Sequence, residues 1–297
     1  VAAWFPLARG SLLTQFTGLV GQIGAMLAAL PMAHALARYG WEASYLGAAA
    51  VGVLAGAVMH RVVTDRPVGN ADDAPPAPMR LREVGASLRA CWQQPLTRLG
   101  VAVHFTFLFC PNTVALLWGY PWLVDGQGCS PALAAILLTL LTGSSMVSGP
   151  LLGGLITLRP HWRLPFLGWL LAAVVGLWTV VLLWPGAAPR WLLVLLMLAV
   201  GTCGPGSALS FDFARLGNPL ARIGIALGLV NVGGFVSTVL VVLGIGFVLD
   251  ASTPLAPGRY SPQAFRLALL VPYLAWAVGG WQVLRCRRQC RLEAPGR

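Results

Sequence analysis

Lysine is missing from this chain altogether: all twenty basic residues are arginine, set against nine acidic ones. Charge of either sign is scarce, at 10% of 297 residues, and carboxylates inside apolar sequence are scarcer still. Glu42, Asp125 and Asp250 fall at one set of run ends and Asp212 near the opposite one, so no mid-run Asp or Glu is present to carry a proton. Cysteines are few and scattered. Cys91, Cys110, Cys129, Cys203, Cys286 and Cys290 form no CxxC pair and have no neighbouring histidine to complete a zinc site. No HExxH helix, no paired aspartates within a run and no spaced serine and histidine point to hydrolysis. These absences argue against a disulfide scaffold, a metalloenzyme and an intramembrane hydrolase, and nothing in the sequence calls for a cofactor.

Apolar sequence is what the chain has in excess: 57% of residues are hydrophobic and the mean hydropathy is +0.75. Roughly 20 mostly apolar residues span about 30 Å of hydrocarbon. Runs long enough to do so occur at 11–37, 42–63, 98–122, 131–157, 164–184, 191–211, 223–249 and 265–284. The spacing therefore predicts an all-α polytopic membrane protein of eight transmembrane helices. The first run exceeds a signal-peptide core and lacks a charged leader and cleavage site, so it reads as a span.

A net charge of +11 raises the question of nucleic acid, but the arginines sit in short segments between apolar runs, not on one soluble face. The bilayer is the expected partner. With the N-terminus inside, only Arg38, Arg190, Arg259 and Arg266 fall on the outer side, leaving the other sixteen on the inner one. That asymmetry predicts an inner (plasma) membrane protein with both termini cytoplasmic.

The longest polar stretch, 64–97, opens on a Pro/Asp run and then turns amphipathic, with Leu81, Val84, Leu88, Cys91 and Trp92 at helical spacing. It reads as a cytoplasmic linker ending in a helix on the inner leaflet, and 285–297 as a basic cytoplasmic tail. An internal repeat frames the linker. Gly18-Leu19-Val20-Gly21-Gln22-Ile23-Gly24 in the first run and Gly228-Leu229-Val230-Asn231-Val232-Gly233-Gly234 in the seventh share four of seven residues.

With these landmarks the sequence resembles the major facilitator superfamily, whose two six-helix bundles are joined by a long cytoplasmic loop. Trp4-Phe5-Pro6 with Arg9 resembles the inner loop before the fifth helix, and Gly40-Trp41-Glu42 the outer turn before the sixth. Leu117-Trp118-Gly119-Tyr120-Pro121, Gly149-Pro150-Leu151-Leu152-Gly153 and Gly204-Pro205-Gly206-Ser207 then fit the seventh, eighth and tenth helices. Phe211-Asp212-Phe213-Ala214-Arg215 with Asn218-Pro219 and Arg222 is similar to an actinobacterial group of the superfamily. The resemblance implies that the eight spans correspond to helices 5–12, with a complete member starting four helices earlier. Residues 1–63 would then be the last two helices of the N-terminal bundle, 64–97 the central loop and 98–284 the complete C-terminal bundle.

It also implies a transporter of a small solute working by alternating access. Candidate cavity residues are Gln15 and Gln22, in line on one face of the first span; His104, Asn112 and Trp118 on the third; and Asn231 on the seventh. Each is also an ordinary candidate for an interhelical hydrogen bond. His104 is the sole histidine well inside a run, and hence the one candidate for proton coupling. Asp212, Arg215 and Arg222 are expected at a cytoplasmic gate, and Gly201, Gly204, Pro205 and Gly206 are expected to interrupt the sixth span. Two further readings remain open: a non-transporting structural remnant, and a nitrate/nitrite-type porter, although the fourth span has no basic residue to face an anion.

Overall fold

The computed structural model describes residues 9–63, 81–252 and 259–293. Those residues contain eight helical stretches long and apolar enough to cross a bilayer, and no sheet. Helix α1, Gly10–Val62, holds the first two, Gly10–Ala28 and Pro31–Val62. The sequence predicts separate helices at 11–37 and 42–63, and the structure has the break between them, confined to Gly40 at φ 75° and ψ −176°. A side chain rarely tolerates that positive φ, so a single glycine does the work of a turn.

The Pro/Asp run lies outside the described residues, and α2, Leu81–Gln93, follows it. Its apolar residues divide. Cys91 is fully buried and packs with Ala214, Ala226 and Val230, whereas Leu88 and Trp92 are exposed. Thus α2 docks one edge on the bundle and leaves the other exposed.

Six long helices complete the molecule: α3 Pro95–Gly126, α4 Pro131–Leu158, α5 Pro160–Leu183, α6 Arg190–Gly217, α7 Leu220–Ala251 and α8 Pro262–Cys290. Ser130 and Ser261 cap the starts of α4 and α8, accepting from Leu133 N at 3.3 Å and Ala264 N at 3.1 Å. In α3 the winding widens to π register over Thr113–Trp118 and again over Trp122–Gly126. Each wide segment follows a proline, Pro111 or Pro121, which lacks the N–H that would continue the α ladder. From residue 285 the basic segment continues the last helix to Glu293. No proline or glycine intervenes there, and arginine favours helix.

The core lies around α3 and α6. Helix α3 packs on α7 and α8, α6 packs between α4 and α5, and α1 lies along α4. Close approach of α1 to α4 depends on Gly153, where a Cβ would come within 2.9 Å of Leu12 Cα. At the end away from the arginine-rich side Trp178 of α5 donates to the Leu269 carbonyl at 3.1 Å and stacks against Trp122 at 5.9 Å. The opposite face of α5, including Trp169 and Leu183, is exposed, as is nearly all of α1 after Pro31.

Candidate functional site

Helix α6 supplies the centre of the site, because its hydrogen-bond ladder fails there. The sequence places the interruption at Gly201–Gly206, but the α-helix continues through Pro205 to Ala208 and breaks at Leu209. Leu209 N turns back to the Gly206 carbonyl at 3.2 Å, which releases the Pro205 carbonyl from its usual partner four residues on. Gln15 of α1 takes it, donating Nε2 to Pro205 O at 2.8 Å. One turn pair further along α1, Gln22 Nε2 donates to Ser145 Oγ of α4 at 3.1 Å. Gln15, Gln22, Gly204 and Pro205 thereby line one cavity of about 100 Å³ between α1, α4 and α6. Both glutamines are engaged between helices.

The other flank of the broken turn meets α3. His104 is buried, with Nδ1 at 2.7 Å from Ser207 Oγ, 3.1 Å from Ser210 Oγ and 3.2 Å from the Ser207 carbonyl. Protonated Nδ1 donates to the carbonyl; unprotonated, it accepts from a serine hydroxyl. Phe211 tilts against the ring at 4.9 Å. Asn231 of α7 comes alongside but outside hydrogen-bonding geometry, so Nε2 is buried with no partner among the described residues. A Cβ at Gly234 would strike the imidazole, which is why α7 presents glycine there.

The α3 candidates Asn112 and Trp118 lie in the α3–α7 seam. Val101 meets Gly233, Asn112 Nδ2 donates to Thr238 Oγ1 at 3.4 Å, and Trp118 Nε1 donates to the Val242 carbonyl at 3.0 Å. Asn231 itself is exposed. Although His104 and Ser207 pair as a base and a hydroxyl would, the ring has no orienting carboxylate among the described residues, and Ser207 is fully buried. The arrangement fastens helices.

At the arginine-rich end, Asp212 is buried and bridges two cations: Arg163 Nε at 3.3 Å and Arg215 Nη1 at 3.1 Å. Gly10, at the start of α1, lies 4.0 Å from Arg215 Nη1 by the position of its would-be Cβ. Arg222 stands apart. Its side chain is exposed, and its backbone alone is engaged: the N–H donates to the Pro219 carbonyl at 2.9 Å and the carbonyl accepts from Cys91 Sγ at 3.8 Å.

The model of the Major Facilitator Superfamily matches residues 1–242. The chain belongs to the major facilitator superfamily. It is thus a polytopic transporter-type protein, as its landmarks implied. No curated protein and no solved structure matches it.

Within this superfamily member, sequence reasoning missed Arg163, Ser207, Ser210 and Thr238. Arg163 reads as one more arginine of an inner loop, and nothing in its spacing points to Asp212, 49 residues on. The serines occupy the very turn singled out for its glycines. A polar residue next to a predicted helix break was the available signal for them, since a broken ladder needs side-chain partners.

Proposed function

We propose that this facilitator moves a small neutral or amphipathic solute across the membrane by alternating access, with the α3–α7 seam lining its cavity. The single observation that carries this is the broken turn of α6, clasped by Gln15 on one side and His104 on the other. A turn whose carbonyls are satisfied by side chains of two neighbouring helices can exchange those partners without unravelling, which is what a rocking bundle requires. His104 is the proton-coupling group of this reading, since its Nε2 is buried and unengaged and no carboxylate lies mid-span. Asp212, with Arg163 and Arg215, acts as the cytoplasmic latch, and the orientation is the plasma-membrane one given by the arginines. An anion would need a countercharge in the cavity, and of the seam residues His104, Asn112, Trp118 and Thr238 only His104 is titratable; amides, hydroxyls and Trp118 favour an uncharged solute.

The test is uptake into proteoliposomes of the full chain, with a panel of labelled neutral solutes and an imposed pH gradient. Wild type is expected to accumulate at least one solute, and H104Q to transport it with the gradient response lost. If no solute moves, the transport reading fails; if H104Q keeps the full gradient response, the coupling role fails.

A further inference from the structure

A second cavity, of about 210 Å³, lies away from the candidate site on the flank formed by α3, α5 and α8. Helices α5 and α8 are pinned together near the outer end, where Thr179 Oγ1 and Tyr273 Oη lie 2.6 Å apart and Trp178 donates to Leu269 O. Toward the arginine-rich end they diverge and leave a cleft. Its floor is Val103 and Phe107 of α3, and its walls are Leu167 and Leu171 on one side and Val283 and Leu284 on the other. Gly168 and Gly280 hold it open: a Cβ at Gly168 would meet nothing within 4 Å, and one at Gly280 only Leu171 at 4.0 Å.

The polar end of this apolar slot carries one sign of charge. Arg287 closes the mouth and is half-buried, with no carboxylate partner among the described residues. On adjoining α3, Arg98 keeps its Nε buried and without a hydrogen-bond partner, within electrostatic reach of Cys286, the residue before Arg287. Arg163, the nearest cation on α5, is already committed to Asp212. A half-buried guanidinium with no carboxylate partner, next to a second whose Nε is buried and unpaired, gives this mouth an uncompensated positive charge that favours an anion supplied from outside the chain. An apolar slot of helix-flank depth beneath a planar donor matches an acyl chain beneath a phosphate.

We propose that the α3–α5–α8 cleft is a retained binding site for one anionic phospholipid of the arginine-rich leaflet, with an acyl chain between Gly168 and Gly280 and the phosphodiester on Arg287. Arg98 adds long-range attraction for a net negative headgroup, giving selectivity for anionic over zwitterionic lipid. The site is independent of the transported solute.

The experiment uses the full chain, purified in detergent, exchanged against mixed micelles of phosphatidylglycerol and phosphatidylcholine, and weighed by native mass spectrometry. Wild type is expected to retain one phosphatidylglycerol per chain, at least tenfold preferred over phosphatidylcholine, and added inorganic phosphate is expected not to displace it. G280L should lose the retained lipid of both kinds. R287Q should retain lipid but lose the preference, and R285Q, whose guanidinium rests over Trp281 at 5.4 Å, should behave as wild type. Retention and preference unchanged in both G280L and R287Q would overturn the proposal, as would displacement by inorganic phosphate or an equal loss in R285Q. R287Q removes a charge from a half-buried side chain at the mouth and leaves the apolar slot intact, so its result stands even if G280L fails to assemble.

Discussion

His104 shows how far a single residue can be read. Its position as the lone histidine deep in an apolar run marks it in the sequence, but its partners Ser207 and Ser210 lie more than a hundred residues away. The neighbouring Gly234 shows in the sequence only as a repeat glycine and is decisive in space. Replacing it with valine would drive a branched side chain into the imidazole, and overpacking of that kind costs about 1–3 kcal/mol. G234V is therefore expected to lower the thermal midpoint in detergent, with G224A, which meets nothing within 4 Å, as the matched control. Asp212 supplies a second prediction. D212N leaves two guanidiniums facing each other and should cost about 3 kcal/mol, the low end for a broken buried pair because both arginines keep some contact with solvent. A double-mutant cycle with R163Q should show strong coupling; additive effects would mean that the 3.3 Å contact contributes nothing.

At the scale of the element, α6 is where sequence and structure part most informatively. Glycine and proline announce trouble in the ladder, yet they do not say at which carbonyl it falls. Pro205 removes its own donor, but Gly201 presents no Cβ to crowd the turn, and α4 presses on it there from Leu141 and Ser144. The helix therefore stays wound through the proline and opens at Leu209, where the exposed carbonyls find Gln15 and His104. Q15L would leave the Pro205 carbonyl buried without a donor, a loss of about 1–3 kcal/mol. Hydrogen exchange of amides 206–212 should quicken in Q15L while that of α5 is unchanged. Equal exchange in mutant and wild type would show that the turn does not depend on α1.

At the scale of the whole molecule, orientation can be checked with two native thiols. Cys129, between α3 and α4, and Cys290, near the end of α8, are both half-buried, while the other four cysteines are buried. A membrane-impermeant maleimide applied to intact cells should label Cys129 and reach Cys290 only after permeabilisation; the reverse pattern would invert the topology. Burial raises the Cys129 thiol above its ordinary range, and Arg190 draws it partly back. Because the thiolate is the reactive form, labelling should be slow at neutral pH, accelerate as pH rises, and be slower still in R190A.

By itself the sequence determined the solvent, the number of spans, the side on which arginines gather and the superfamily, because hydrophobic run length and charge placement are local quantities that a bilayer reads directly. It also nominated Gln15, Gln22, His104 and Asn112 as candidates, since a polar group in an apolar run is conspicuous whatever it touches. Only the tertiary structure decided the pairings. Gln15 with Pro205, His104 with Ser207 and Arg163 with Asp212 each join different helices, and helix packing sets such contacts through the fit of small residues such as Gly153 and Gly234. That fit depends on the rotation and depth of each helix against its neighbour, which periodicity along one chain does not encode.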